Sequence, residues 1–535
     1  MLAQILPLFV IIPVLIAVFL YVSAGLQLKS ARIIAVVAQT AFVVLAFSLL
    51  LVSRSEEILI SVGGYDGFLG IILRADNLAA VFIFLTVVIF LAVVIYNLRS
   101  RYDHTGRLYW FLLFILEGTL IGLFLTRDFF NVFVLVEVST VVVVILLMYD
   151  RKRRNLFAGM TFIMVNIVVM QFYLFGLGYI YMITGVMDME AAATVIAGMD
   201  NADLVLPYAL IMTSVAAKCS LLPLLTWLPK VNSLTGSRFT IAAIMSGLHI
   251  KSGVYLFIRF QAVFGGMASD FFLIIGILTA IAGIILALAQ KDIRLMLAYS
   301  TVAQVGLIIA GFSLNNEYSY IGALFHVINH ALIKVALFLI AGMVSYLYQT
   351  KDITKMRGLF RLSPPIAIAN MLVVLGIVGA PLFNGSISKY FLAYGAGGAL
   401  SWVLALINVG TILVFVRYSA IFFGSPTGPI RDVVPDWCRQ SVALGLGVIC
   451  FWFGVFGGQA IWFLFNRQVG IGLMGYLEKS LVFCLSLGAG FLIYRYFLAK
   501  KDFLPRLRGL ELSFKAMILS IGVFFAVLLV YVGVL

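Results

Sequence analysis

Charge is scarce in this sequence. Of its 535 residues, 11% are Asp, Glu, Lys or Arg and 64% are hydrophobic. Soluble chains carry about 25% charged residues, so a soluble globular fold is excluded. Cysteine is scarce too. Cys219, Cys438, Cys450 and Cys484 lie apart, mostly within apolar runs, with no CxxC or CxxxH spacing. Neither an iron–sulfur cluster nor a structural zinc site is indicated. A Walker loop and a GxGxxG turn after a strand are also missing, so no nucleotide or redox cofactor of its own is expected. The longest loops are short, so no soluble catalytic domain is expected on this chain. Any chemistry belongs within a membrane or on a partner.

What the sequence has is apolar runs of about twenty residues, the length that spans a bilayer as a helix. The ten-residue alternation of a β-barrel is not there. The expected fold is an all-α polytopic membrane protein. About sixteen spans lie near 4–24, 31–53, 76–98, 108–126, 129–149, 157–186, 204–228, 239–260, 270–290, 293–313, 319–348, 365–398, 401–424, 439–464, 479–499 and 515–535. The first of them has no basic n-region and no small-residue cleavage site, so it reads as a span and not a signal peptide.

The net charge is +14. In a soluble protein this would raise nucleic acid as a partner; here the basic residues sit in alternate loops, and no nucleic acid is expected. One set of loops holds Lys29 and Arg32; Arg99, Arg101 and Arg107; Arg151 to Arg154; Lys230 and Arg238; Lys291 and Arg294; Lys351, Lys355, Arg357 and Arg361; Arg431 and Arg439; and Lys500, Lys501, Arg506 and Arg508. The intervening loops, such as SRSEEILISVGGYDG and DMEAAATVIAGMDNAD, are poor in them. The positive-inside rule puts the first set in the cytoplasm of a cell with this protein in its inner membrane. Both termini then face the opposite side.

Several ionisable residues nevertheless fall inside spans: Glu117, Glu137, Lys218, His249, Lys251, His326, His330, Lys334 and Lys389. A lone Lys near a helix end can snorkel to the surface. A set of them at span centres marks an ion pathway or proton relay, because each costs about 2.5–3.5 kcal/mol to insert. Glu137 and Lys218 form the best Glu–Lys pair. Burial eases the loss of a proton from an ammonium and a nearby carboxylate opposes it, so a change in their separation would act as a switch.

Two spans look broken. Pro223 follows Lys218 in KCSLLPLLTWLP, and Pro381 and Gly385 precede Lys389 in GAPLFNGSISK. Proline removes a helix hydrogen bond, and broken helices survive in membranes where they line a cavity or are buried in protein. Two such helices five spans apart imply an inverted repeat, since an odd offset reverses orientation. Between them His326, His330 and Lys334 recur every fourth residue, one stripe on one helix face. A His-x3-His pair can bind zinc, but HExxH is absent and no third ligand is evident. A titratable wire along the midplane explains the stripe better, and no metal is expected.

These residues carry a family resemblance. TRDFFNVFVLVEVS with Glu137, KCSLLPLLTWLP with Lys218, IKSGVYLFIR with Lys251, DIRLMLAYSTVAQVGLIIAG, HVINHALIKVALFLIAG and GAPLFNGSISK resemble the antiporter-like subunits of respiratory complex I. They resemble likewise their relatives, the Mrp-type cation/proton antiporters and the membrane arms of energy-converting hydrogenases. The match covers roughly residues 70–425. It implies a fourteen-helix core with two inverted five-helix repeats and a hydrophilic axis. The implied division is N-terminal spans over 1–106, repeats over 107–262 and 263–425, and C-terminal spans over 426–535. Met245 stands where most relatives carry a His, with His249 one turn on, and Lys230 follows WLP where an acid is common. The two final spans extend past the core, and no long lateral amphipathic helix follows. Mrp-like or hydrogenase-like subunits therefore match better than the longest complex I subunit.

The resemblance implies an ion-translocating subunit, moving protons with or without Na+ or K+, within a multisubunit antiporter or redox-driven pump. Its partners would be other membrane subunits, homologous ones among them, and lipid. A membrane proton conductor serving a carbon-dioxide or bicarbonate uptake complex is the alternative. A quinone-binding oxidoreductase in its own right is disfavoured by the missing cofactor motifs; a non-catalytic subunit of an NADH-quinone or hydrogenase-type enzyme remains open.

Overall fold

A computed structural model of the chain describes residues 5–23, 28–64, 70–98, 106–234, 239–426, 429–431, 436–470, 472–498 and 512–534. Arg99, Arg101, Arg238, Lys500, Lys501, Arg506 and Arg508 of the basic loops lie outside the described residues.

The chain opens with α1 (Leu8–Val22) and α2 (Leu28–Ser53). A small antiparallel hairpin follows, β1 (Ile58–Ser61) and β2 (Ile72–Ala75), in a segment read from sequence only as a loop. β2 alternates in burial, and the pairing sets Ile58 opposite Ala75. Then come α3 (Asn77–Asn97), α4 (Arg107–Leu125), α5 (Phe129–Met148) and α6 (Arg153–Thr184). A short α7 (Met189–Ile196) precedes α8 (Asn201–Lys218) and α9 (Trp227–Leu234). α10 (Phe239–Ile244) runs through a π turn at Met245–His249 into α11 (Ile250–Val263). After α12 (Ser269–Ala289), α13 (Ile293–Phe312) and the long α14 (Glu317–Leu347) come α15 (Leu359–Leu362), α16 (Pro364–Val378) and α17 (Asn384–Ala396). The chain finishes with α18 (Gly398–Ser419), α19 (Trp437–Val455), α20 (Gly457–Phe465), α21 (Leu473–Ile493) and α22 (Phe514–Val534).

Among the described residues, 13 helices are long and apolar enough to cross a membrane. The protein is a large, essentially all-helical polytopic membrane protein. Helix starts follow local chemistry. Asp76, Asp128, Asp188 and Asp292 each accept backbone N–H groups at a helix N-terminus, satisfying donors that the helix itself cannot. Side chains on the outer faces, such as Phe157, Trp402 and Leu406, are exposed. In a bilayer such faces meet lipid or other subunits.

Small residues set the closest helix contacts, as expected where apolar burial gives no preference between lipid and protein. α12 crosses α13 where a Cβ on Gly276 would lie 2.7 Å from the Gly306 carbonyl, and one on Gly283 2.6 Å from the Ala303 nitrogen. Two further contacts are alike in form. An isolated antiparallel bridge joins Asp128 to Asp188 before α5 and α7, and another joins Asp292 to Asp352 before α13. In the first, Phe129 N–H donates to Met187 (3.0 Å) and Met189 N–H to Arg127 (2.9 Å). In the second, Ile293 donates to Lys351 (2.9 Å) and Ile353 to Lys291 (3.0 Å). Every residue of the second bridge sits at one constant offset from its counterpart in the first.

Candidate functional site

The first broken helix is formed by α8, a turn over residues 219–226, and α9. Ser220 takes the left-handed conformation (φ 58°) and the Leu222–Pro223 bond is cis. The break is tied internally: Trp227 Nε1 donates to Ala217 O (2.7 Å), Ser220 Oγ to Leu225 O (3.1 Å), and Leu222 N–H to Thr279 Oγ1 (2.8 Å). Backbone groups freed by the break thus find protein partners, the condition for irregular backbone at membrane depth.

Lys218 is the last residue of α8, where the helix dipole favours a cation. It is buried, and its ammonium donates to Asn166 Oδ1 (2.6 Å) and Thr140 Oγ1 (3.2 Å). Glu137 lies one turn before Thr140 on α5. It is half-buried, and its Oε1 has no hydrogen-bond partner. Among the described ion pairs none joins Glu137 to Lys218; the ammonium bonds Thr140 and Asn166 instead.

α11 reaches the same break through Gly253, where a Cβ would lie 2.9 Å from the Lys218 carbonyl carbon. One turn earlier His249 is buried with Nδ1 unpartnered. Lys251, fully buried, donates to the carbonyl of Ser246 within the π turn (2.6 Å). Gly247 of that turn packs on α14: a Cβ there would meet Val335 Cγ2 at 2.4 Å and the Ala331 carbonyl at 3.4 Å. The π turn therefore touches α14 at Ala331 and Val335, the residues after His330 and after Lys334.

The stripe of α14 is wholly buried. Lys334 donates to Leu297 O (3.0 Å) and closely to Ser300 Oγ on α13. The His330 and His326 rings stack with centroids 6.1 Å apart. His330 has no partner at either ring nitrogen. His326 has two: Ser388 Oγ at 2.9 Å from Nδ1 and Gln304 Oε1 at 3.0 Å from Nε2. Gln304 in turn donates to Thr411 Oγ1 (3.1 Å).

Ser388 leads to Lys389 in the second broken helix, α16 and α17. Gly379 (φ 80°) closes α16 and Leu382 (φ 67°) carries the chain round Pro381. Gly385, expected in the break, instead lies in the first turn of α17. A Cβ there would be 2.0 Å from the Gly376 carbonyl, so only glycine lets the halves approach this closely. Lys389 is half-buried and donates to Ile377 O, near the end of α16, and to Asn408 Oδ1, each at 2.7 Å. The two lysines are thus placed differently. Lys218 precedes its break, and Lys389 follows its own.

Glu117 stands apart. It is fully buried on α4 and accepts from Gln39 Nε2 of α2 at 2.5 Å. Gln39 also donates to Val87 O (3.2 Å). The other eight ionisable residues gather in one file from α5 to α17. Sequence reading missed the uncharged groups that join them: Thr140, Asn166, Ser300, Gln304, Ser388, Asn408 and Thr411. A run of Asn, Gln and Ser at span centres was the available signal, weak because such residues are common in membrane helices. Among the described residues, no group of three or more His, Cys, Asp and Glu is placed to hold a metal.

Residues 126–414 match the family profile described as NADH:quinone oxidoreductase/Mrp antiporter, transmembrane. NADH-quinone oxidoreductase subunit N of Desulforudis audaxviator is 32% identical over 438 residues, covering 76% of this chain and 86% of that one. A Na(+)/H(+) antiporter subunit of Alkalihalophilus pseudofirmus is 29% identical over 365 residues, 66% of this chain and 73% of that one. Among solved structures, a chain of the Mrp complex from a Dietzia species superposes with a TM-score of 0.79 at 22% identity, over 92% of this chain and 100% of that one. A chain of the archaeal membrane-bound sulfane sulfur reductase does so with a TM-score of 0.79 at 23% identity, over 91% and 99%.

Proposed function

The chain belongs to the NADH:quinone oxidoreductase/Mrp antiporter transmembrane family, and on that premise we propose that it is the ion-translocating subunit of a multisubunit membrane complex. Protons move along the buried file between Lys218 and Lys389. The observation that carries this reading is the file itself: Lys218 in the first broken helix, then His249, Lys251, Lys334, His330 and His326, all buried, ahead of the second. Ionisable groups are retained at membrane depth at considerable cost, and a set of them in line serves passage better than packing.

The roles divide along the file. Glu137 modulates the charge of Lys218. Lys251, Lys334, His330 and His326 relay protons, with water bridging where no direct bond is present. Lys389 exchanges with the far side. Pro223, Pro381 and Gly385 shape the breaks. Glu117, away from the file, tunes the N-terminal helices. Two relatives are named as Na(+)/H(+) antiporter subunits, so exchange of a proton against a monovalent cation is the transport event to assay first.

The architecture that serves this mechanism is about sixteen spans, with five-helix repeats over 107–262 and 263–425 flanked by 1–106 and 426–535. The second repeat is inverted relative to the first. The paired bridges support this: they recur at a constant offset before α5 and α13, and the five spans read between them would set them on opposite sides. Both termini then lie on the non-cytoplasmic side.

The test is transport by membrane vesicles carrying the assembled complex. Lys389→Arg keeps the charge but holds its proton under essentially all conditions. Formation or dissipation of ΔpH is expected to fall to background while complex abundance stays normal. Wild-type rates in Lys389→Arg and in Lys218→Ala together would refute the proposal.

A further inference from the structure

The end of the bundle that carries Lys291 and Lys351 holds a cavity outside the transport file. It has a volume of about 430 Å³ and opens between the end of α14, the start of α10 and the start of α19. Lys351, Arg431 and Arg439 line it, and among the described lining residues none is acidic. Arg431 lies 4.4 Å from the ring centroid of Tyr346, and Arg439 lies 4.8 Å from that of Tyr96. Stacking fixes a guanidinium plane and presents its edge as a fork of donors, the geometry that suits an oxygen anion with several acceptors. Asp436 approaches Arg439 at 3.4 Å, so that cation is partly matched already. A separate observation points to a ligand. Ser345 lines the cavity, is 8% exposed, and its hydroxyl has no hydrogen-bond partner among the described residues. A buried hydroxyl left without an acceptor is costly, and a bound anion would supply one.

We propose that this cavity binds a phosphate-bearing ligand, and that the phosphodiester headgroup of an anionic membrane lipid is its occupant. Three features favour the lipid. The cavity lies where the spans end, at the depth of headgroups, and basic pockets between membrane helices recognise such headgroups. Its aromatic walls suit a glycerol and the first carbons of a chain. Its volume exceeds what a lone phosphate fills. The shared chemistry is a phosphate oxygen anion, and a free phosphate ion is the other source.

The experiment uses the full chain, purified in detergent and stripped of lipid, with thermal melting followed as ligand is added. Phosphatidylglycerol is expected to raise the melting midpoint. Phosphatidylcholine is expected not to, since its choline cation would face three cations. Ser345→Ala, Arg431→Gln and Lys351→Gln should each weaken the phosphatidylglycerol response, by about tenfold in half-saturating concentration for the arginine variant. Ser345→Ala changes so little volume that it keeps the test valid if a charge variant misfolds. Equal stabilisation by inorganic phosphate, lost in the same variants, would support the site and identify a soluble ligand. No response of the wild type to either anion, or a lipid response unchanged in all three variants, would overturn the proposal.

Discussion

His330 is the most informative single residue. It is fully buried, and neither ring nitrogen has a partner. His326, one turn away, has both nitrogens bonded. A glutamine preserves amide hydrogen bonding but does not titrate near neutral pH. At position 326 it can keep part of the contacts to Ser388 and Gln304. At position 330 it has none to keep, so any effect reports lost titration. His330→Gln is expected to abolish most transport, and His326→Gln to reduce it less, at equal amounts of assembled complex. Equal activity per complex in both variants would leave the stripe as packing. Asn166 gives the complementary case. Asn166→Leu removes the shorter of the two acceptors of Lys218. We expect a stability loss of about 1–2 kcal/mol, visible in detergent melting, together with impaired transport. An unchanged melt would mean that water replaces the amide. The charged members of the file were legible in the sequence because ionisable residues stand out against apolar runs. Their neutral partners were not, since an Asn or Ser in a membrane helix bonds its own backbone as readily as a neighbour. Asn166 does both: its Nδ2 donates to Phe162 O (2.8 Å) while its Oδ1 accepts from Lys218.

At the scale of the element, the breaks were legible from proline, but their detail was not. Proline marks where a helix loses a hydrogen bond; it does not say which neighbour must be small so that two half-helices can close up. Gly385 and Gly376 answer that for the second break. Gly385→Ala would set a methyl group 2.0 Å from a carbonyl oxygen, so the halves must separate. Transport is expected to be lost and the melting midpoint to drop. Gly445, on α19, is the control, because a Cβ there meets nothing within 4 Å. Gly445→Ala should be neutral or stabilise by about 0.5–1 kcal/mol through the lower chain entropy of alanine. If both variants melted together, the tight approach at Gly376 would not be what sets the break. The hairpin β1–β2 escaped notice for another reason. Its strands are four residues each, and the ion pair of Arg74 with Glu57 (2.6 Å), which steadies it, joins residues far apart in sequence.

At the scale of the molecule, apolar runs and loop charge were enough to read a polytopic helical protein, because membrane spanning depends on length and polarity alone. The proposed internal repeat is harder to see. The two halves it would relate differ in sequence, and even the lysines at the two breaks stand differently relative to the proline. What persists is backbone: the same pair of interstrand hydrogen bonds before α5 and before α13. If the repeats are inverted, these bridges lie at opposite membrane surfaces, and that can be measured directly. In a background with Cys438 and Cys484 changed to Ser, since neither is buried, single cysteines would be placed at exposed positions beside each bridge. Ala197→Cys reports on the first and Lys355→Cys on the second. In intact cells an impermeant thiol reagent is expected to label the Ala197 position and spare the Lys355 position. Inside-out vesicles should reverse the pattern, because the basic loop around Lys351 and Lys355 then faces the medium. Labelling of both from one side would require an even number of crossings between α5 and α13. The repeats would then be parallel, and two half-channels opening to opposite sides would need another architectural origin.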